Sequence, residues 1–387
     1  MFDDTFCLNV RFLLNTQFKM IELPDNIAAL QSYKPGKAVE DIFEGKNFDR
    51  TAILSSNENN LGTSPKAVAA IQEAATNSYL YPDPSGMKLR QKLAAKHNTT
   101  IDKIIIGNGS DGILSNIFKA FFRPGDELVS SAGSFVAVNV MTKLNNIPYK
   151  QAPLTKEYAF DLEAILDLVG PRTKAVYLCN PNNPTGAMIS NRALKAFIEK
   201  IPEHILIIVD EAYAEFAASL SSEFPDATQI ELPNVITLRT FSKAFGLAGV
   251  RLGYGVGSQF IVDTLMKVKL TFNPSIIAQA AGGAALDDAA FMQETIEMNK
   301  KGLAYYYKNF SQMQLNYVPS FGNFVMLDMS TEERAMYVFN QLLNRGVFVR
   351  PLAFFQLPHC LRITVGLPEE CQLLVEKMAE VMTLEKN

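Results

Sequence analysis

Short apolar runs punctuated by turn residues dominate the middle of the chain. The clearest, Ile205-Leu206-Ile207-Ile208-Val209, has no polar break and reads as a central strand buried on both faces. Comparable runs begin near Lys103, Glu127, Tyr149, Lys174, Val235 and Leu252. Helical spacing fills the intervals: Ser64-Pro65 opens a helix in which Val68, Ile71 and Ala75 recur, and Ile113 to Phe122 forms an apolar helix. This alternation predicts an α/β fold whose large domain holds a mostly parallel seven-stranded sheet flanked by helices. From Asn273 onward the chain turns helical, and Phe291, Met298 and Tyr305 fall at heptad spacing, a stripe that reads as packing. Leu374, Met378 and Val381 mark a closing structural helix. Arg362 lies on a short alternating strand. A length of 387 residues suits a large domain plus a smaller one. We expect an extension and arm over 1–62, the large cofactor-binding domain over 63–275, and 276–387 joining the arm in a smaller α+β domain.

The polar residues that interrupt this pattern sit where an open α/β sheet collects ligands, at the carboxyl ends of its strands. Asp210 ends the central run, and Lys243 follows the run through Val235, Ile236 and Leu238, flanked by Thr240 and Ser242. Gly107-Asn108-Gly109-Ser110-Asp111-Gly112 is a glycine-rich turn opening a helix, which points the amides of Ser110 and Asp111 and a positive dipole end at an anion. Arg251, with Thr240 and Ser242, completes a phosphate cup of one guanidinium and two hydroxyls. Taken singly, Lys243 reads as a surface lysine and Asp210 as a helix cap. Taken together with an anion site, they read as a Schiff-base lysine for pyridoxal phosphate and the carboxylate partner its ring nitrogen requires.

These residues also carry a resemblance. Val209 to Tyr213, Thr240 to Tyr254 and Cys179 to Gly186 resemble the fold-type I pyridoxal-phosphate aminotransferases, most of all the histidinol-phosphate aminotransferase branch, and the similarity runs from about Leu30 to the C-terminus. The resemblance implies that Asn183 and Tyr213 donate to the cofactor's ring hydroxyl and that Phe135 stacks on the ring. It implies that Tyr81 crosses a homodimer interface to the neighbour's cofactor phosphate. Tyr33, Asn183 and the pair Arg350 and Arg362 would meet the substrate, with Arg362 at its anionic end. Lys243 would then be the general base of a transamination between histidinol phosphate and 2-oxoglutarate, with Asp210 holding the ring nitrogen protonated. An aromatic amino acid transaminase acting on phenylalanine or tyrosine, a phospho-amino-acid decarboxylase of the same fold, and a cofactor-sensing regulator domain are the alternatives. No basic helix-turn-helix extension is evident for the last. Four positions depart from the family pattern: Gly112 where glutamate is usual, Ala132 and Gly133 in place of a proline-rich stretch, and Val138 where a second aromatic is common. We expect Gly112 to alter local hydrogen bonding more than cofactor retention, and the others to bear on the substrate pocket.

Composition narrows the partners. A net charge of -4 offers no basic surface for nucleic acid or an anionic membrane. Cys7, Cys179, Cys360 and Cys371 are scattered without metal-ligand spacing, so we expect reduced thiols in a cytoplasmic protein, no metal, and Cys179 as a small buried residue. The leading segment is acidic, and the patch Phe12-Leu13-Leu14 is too short for a signal peptide or a membrane span. Met20 is a candidate functional start that would make residues 1–19 a dispensable extension. The expected partners are an amino donor and a 2-oxo acid.

Overall fold

The computed structural model describes residues 22–28, 30 and 48–385. The chain divides into two units, Met1–Tyr33 and Lys34–Asn387. Of the first, the described part holds one short helix, Asp25–Ala28.

In the second unit a two-residue strand, β1 (Ala52–Ile53), precedes a seven-stranded sheet. The sheet's members are β2 (Ile104–Gly107), β3 (Glu127–Ser131), β4 (Tyr149–Ala152), β5 (Thr173–Cys179), β6 (Leu206–Asp210), β7 (Val235–Thr240) and β8 (Gly253–Gly257). Each run singled out above becomes one of these strands. Their order is β2-β8-β7-β6-β5-β3-β4, with parallel pairing from β4 through β7 and β8 antiparallel to both of its neighbours. The unbroken apolar run forms β6 in the middle, every residue buried. One buried cluster gathers Ile117, Val176, Leu194 and Ile208, and another Leu93, Ile106, Tyr254 and Ala281, so helices cover the sheet.

Later in the chain β9 (Asn316–Val318), β10 (Phe324–Asp328), β11 (Val347–Phe348), β12 (Arg350–Pro351) and β13 (Cys360–Thr364) complete the strands. Four of them form an antiparallel sheet in the order β12-β13-β10-β9, while β11 pairs in parallel with β1. The closing helix Pro368–Leu384 buries Leu374, Met378 and Val381, as its stripe predicts. No helix among the described residues is long and apolar enough to cross a membrane.

Four local expectations shift. Ser64 caps the helix Pro65–Ala75 as predicted, its hydroxyl accepting from the Ala67 amide at 3.2 Å, yet the buried face is Ala67 and Ala74, with Val68 exposed. Alanines suit that face because it packs closely on the alanine-rich helix Ile276–Ala285. The helix expected from Ile113 begins at Gly109, because its first turn is written in glycine and polar residues. In the long helix Ala289–Gln312 the face that packs runs through Phe291, Thr295, Asn299, Gly302 and Tyr306, and Met298 and Tyr305 are only partly covered. Gly302 sets this face: a Cβ there would lie 2.2 Å from Val365 Cγ1. Finally, β13 does not alternate in exposure. It is an inner strand with all of its residues buried, Arg362 included.

Candidate active site

At the carboxyl ends of β5, β6 and β7 lies a cavity of about 320 Å³ that gathers Ser110, Asp111, Phe135, Asn183, Asp210, Tyr213, Thr240, Ser242, Lys243 and Arg251. Residues scattered over much of the chain meet here because parallel strands deliver their ends to one edge. In register, Cys179 at the end of β5 is opposite Asp210 at the end of β6.

Asp210 is buried, with its Oδ2 accepting from the Tyr177 hydroxyl at 2.8 Å and its Oδ1 buried without a partner. Burial pushes its carboxyl up to about 7, against the opposing hydrogen bond from Tyr177. Lys243 donates from Nζ to the Ser56 carbonyl at 3.0 Å and stands 6.0 Å from the Tyr213 ring centre. Burial, reinforced by the charge of Arg362, brings its ammonium down to about 8. The buried Tyr213 hydroxyl accepts from Asn57 Nδ2 at 2.9 Å. Burial raises this phenol to about 12, with Arg362 and the Asn57 bond pulling the other way.

One end of the cavity is built for an anion. The first turn of the helix Gly109–Phe121 carries Ser110 and Asp111, and its N-cap residue Asn108 makes no side-chain cap. Arg251 Nη1 lies 3.4 Å from Ser242 Oγ, and Thr240 Oγ1 donates to Ser242 Oγ at 3.0 Å. The Asp111 carboxylate is 3.6 Å from Arg251 Nη2. Gly109 has φ +72°, and a Cβ there would sit 2.8 Å from Arg251 Nη2, so glycine keeps the guanidinium seated.

Arg362 and Arg350 do not line the cavity itself but stand behind two residues that do, Asn183 and Ser56. Arg362 donates from Nη2 to the Ser55 carbonyl at 2.7 Å and from Nη1 to Asn183 Oδ1, which leaves the Asn183 amide nitrogen as the end that donates. Its Nε is buried without a partner, and burial lowers the guanidinium to about 10. Arg350 donates from Nε to the same Ser55 carbonyl at 3.2 Å and from Nη2 to Ser56 Oγ at 3.2 Å. Tyr81 is not in the cavity: it is 78% exposed and stacks on Phe272 with ring centres 4.2 Å apart. Tyr33 lies outside the described residues.

A buried carboxylate with a free oxygen, an amine that is partly neutral near neutrality, an anion cradle and two guanidiniums can together grip a flat anionic heterocycle and a second anion. The family described as aminotransferase class I and II matches residues 51–378. The chain belongs to that family. It is 39% identical over 358 residues to histidinol-phosphate aminotransferase 2 of Carboxydothermus hydrogenoformans, covering 92% of this chain and 98% of the relative. It is 38% identical to histidinol-phosphate aminotransferase of Caldicellulosiruptor saccharolyticus, over 92% of this chain and 99% of the other. The solved histidinol-phosphate aminotransferase from Sinorhizobium meliloti, in complex with pyridoxal-5′-phosphate, superposes with a TM-score of 0.86 at 30% identity, covering 94% of this chain and 98% of that one.

The aminotransferase site also uses residues that motif reading passes over. Ser56 and Glu58 line the cavity. Asn57 between them is fully buried at φ +55°, its amide donating to Thr364 Oγ1 at 3.0 Å and its carbonyl accepting from Asn323 at 3.2 Å. The stretch Leu54 to Gly62 resembles the family's asparagine-rich loop that enters the site, and only the fold tells which asparagine reaches Tyr213. Tyr177 gives no signal in the sequence, since an aromatic within an apolar strand looks like core. None of the four departures from the family pattern lines the cavity: Gly112 and Ala132 are absent from its wall, Val138 is buried in the core, and Gly133 has φ +59° with Leu154 2.6 Å from where its Cβ would be. Among the described residues one group, Asp328, His359 and Cys360, brings metal-ligand atoms within 4.8 Å of one another. The Tyr158 hydroxyl donates to Asp328 at 2.8 Å and lies 3.0 Å from His359 Nε2.

Proposed function

We propose that this chain is a pyridoxal-phosphate-dependent aminotransferase that moves an amino group between histidinol phosphate and 2-oxoglutarate. The observation that carries the reading is the unpartnered Oδ1 of Asp210 in the cavity that also holds Lys243 and the anion cradle. A buried acceptor without a donor is rare, and the protonated nitrogen of a pyridine ring is the donor it lacks. The residues present therefore fit the cofactor. When bound, pyridoxal phosphate supplies an electron sink for the substrate's α-carbon.

Each residue then has a task. The amides of Ser110 and Asp111, the hydroxyls of Thr240 and Ser242, and Arg251 hold the phosphate. Phe135 covers a face of the ring, and Asn183 and Tyr213 donate to its phenolic oxygen. Asp210 Oδ1 holds the proton on the ring nitrogen. Lys243, the point of attachment, has an amine whose lowered pKa lets it take the proton from the substrate Cα and return it at the cofactor's C4′. Arg362, helped by Arg350, binds the anionic end of each substrate in turn.

We assign the arm and extension to 1–62, the cofactor-binding domain to 63–275 and the C-terminal part of the small domain to 276–387. The seven-stranded sheet drawn from 63–275, the four-stranded sheet drawn from 276–387, and the pairing of β1 with β11 support this division. A homodimer in the cytoplasm is part of the proposal. Tyr79, Leu80, Tyr81, Leu270 and Phe272 are all exposed, and this apolar surface supports Tyr81 as the residue given to the neighbour's cofactor phosphate.

The test is turnover of purified protein with 2-oxoglutarate and, in parallel, histidinol phosphate, phenylalanine or tyrosine. Histidinol phosphate should give the highest kcat/KM. A preference for either aromatic amino acid would move the chain to another substrate, and cofactor binding without turnover of any donor would remove it from the transaminases.

A further inference from the structure

Tyr177 does work in this site that a core tyrosine does not. It is fully buried on β5, beside Asp210 on β6, and its hydroxyl donates to Asp210 Oδ2 at 2.8 Å. The other carboxylate oxygen stays buried and unpaired. Rotation about a carboxylate's last bond is soft, and a half-turn merely exchanges two equivalent oxygens, so what a donor on one oxygen can fix is the plane of the group. We propose that Tyr177 is a positioning residue: by holding one oxygen it fixes the plane of the Asp210 carboxylate, so that the other oxygen is aimed at the ring nitrogen of the cofactor, and it favours the ionised form of Asp210.

The proposal rests on the reading of the cavity as a pyridoxal phosphate site. It adds a residue that acts through Asp210 and does not touch the cofactor. The groups facing Asp210 make such a donor necessary. Asp111 from the helix Gly109–Phe121 and Glu211, next in the chain, both disfavour its charge, in the same sense as burial. Cys179 and Tyr213 are close enough to feel its charge, and both are raised by their own burial. Tyr177 opposes this set most strongly, and the Ala212 amide acts more weakly in the same sense. The Tyr177 phenol is itself held far above the usual range by burial and by the Asp210 charge, so it remains a donor at any working pH.

The experiment follows Asp210 itself. The full-length cofactor-free chain, labelled with ¹³Cγ-aspartate, is titrated by NMR, with Asp210→Asn identifying the resonance. In Tyr177→Phe, which keeps the ring and removes the donor, the Asp210 midpoint should rise by about one pH unit, roughly tenfold in proton affinity. With 3-fluorotyrosine at 177, a stronger donor, it should fall. In Tyr177→Phe protein loaded with ¹⁵N-labelled pyridoxal phosphate, the ring-nitrogen resonance should move toward the unprotonated form. An Asp210 midpoint unchanged in both variants overturns the proposal, whatever happens to Tm or turnover, because packing alone would lower Tm and leave the titration in place. Failure of the wild-type chain to bind pyridoxal phosphate would sink the cofactor reading, and the cofactor-free titration would still decide the role of Tyr177.

Discussion

Arg350 and Arg362 stand directly opposite each other on the antiparallel strands β12 and β13, and the Ser55 carbonyl accepts a hydrogen bond from both. Like charges facing across a sheet repel. Their hydrogen-bond partners are carbonyl, hydroxyl and amide oxygens, and Arg362 also lies over the Phe324 and Phe355 rings at 5.5 and 5.7 Å, so among the described residues neither guanidinium is paired with a carboxylate. An arriving anion relieves that repulsion. Arg362→Met should therefore weaken both the amino donor and 2-oxoglutarate, by about 1.5–3 kcal/mol, roughly tenfold to a hundredfold in Kd. Arg350→Met, on the edge strand and half-buried, should cost less. Spectral titration of the holoprotein with each substrate checks this, and undiminished affinity for either in Arg362→Met would contradict a shared anion site.

The amine of Lys243 gives a pH prediction with a definite sign. Its folded value of about 8 lies below the ordinary 10.5. Between those values the unfolded chain holds a proton that the folded chain has shed, so this group makes the cofactor-free protein more stable as pH rises through that window. The neutral amine is also the nucleophile, so its capture of added cofactor, trapped with borohydride, should accelerate up to about pH 8 and then level off. Arg362→Met should move the midpoint upward, because a repelling charge is gone. Lys243→Ala should abolish trapping, and a tag on any other residue would count against Lys243 as the attachment point.

The strands were legible because apolar runs buried on both faces leave no competing reading, and Lys243 and Asp210 were legible because strand ends are where such a sheet presents its ligand groups. The misread places are informative for the same reason. Cys360-Leu361-Arg362-Ile363-Thr364 alternates in polarity, which predicts one wet face, but Arg362 is drawn inward by the site it serves. The start of the helix Gly109–Phe121 was hidden by glycine, whose poor helix propensity here accompanies a φ that brings the backbone close to Arg251. The contacts of Tyr177 and Asn57 depend on two strands and a loop meeting in space, and nothing local in the chain encodes them.

Asp210→Asn should separate stability from function. The Asp210 carboxyl is raised to about 7 from the usual 3.8, so the folded chain holds a proton between those values that the unfolded chain lacks, and stability falls as pH rises across that window. The amide removes this dependence. The cofactor-free variant should gain about 1–3 kcal/mol at pH 8 relative to wild type and nothing near pH 3. Transamination should fall by about 10²–10³, since a neutral amide cannot hold the ring nitrogen's proton. Denaturant melts at two pH values and a turnover assay suffice. A stability difference from wild type that is the same at both pH values, or activity equal to wild type, would contradict the assigned role.

Gly109 and Gly112 sit in one helical turn and should respond oppositely to alanine. A Cβ on Gly112 would meet Asn108 Cβ at 3.4 Å, an ordinary contact, so Gly112→Ala should stabilise by about 0.5–1 kcal/mol and leave cofactor affinity alone. At Gly109 the positive φ and the Arg251 guanidinium both oppose a side chain, so Gly109→Ala should weaken cofactor binding. Equal cofactor affinities in the two variants would rule out this account of the anion cradle.

Behind the site, Arg239 on β7 holds the residue that follows Asp210. It donates to Glu211 Oε2 from Nε at 3.0 Å and from Nη2 at 2.6 Å, and to Asp226 Oδ1 at 2.6 Å. Glu211 is fully buried, with its other oxygen taken by the Ala227 amide at 2.8 Å. Burial pushes the Glu211 carboxyl up and Arg239 pulls it back, so the glutamate depends on its partner to stay charged. Arg239→Met should then lose roughly 3–5 kcal/mol, as expected when one half of a buried pair is left behind. Arg239→Met with Glu211→Leu should recover much of that loss, because the fully buried charge of Glu211 leaves with its partner, while Asp226, 44% exposed, and Glu215, 4.0 Å from Arg239, keep theirs. If the double variant is no more stable than Arg239→Met alone, the loss comes from packing around β7, and the pair is not what anchors the strand end that carries Asp210.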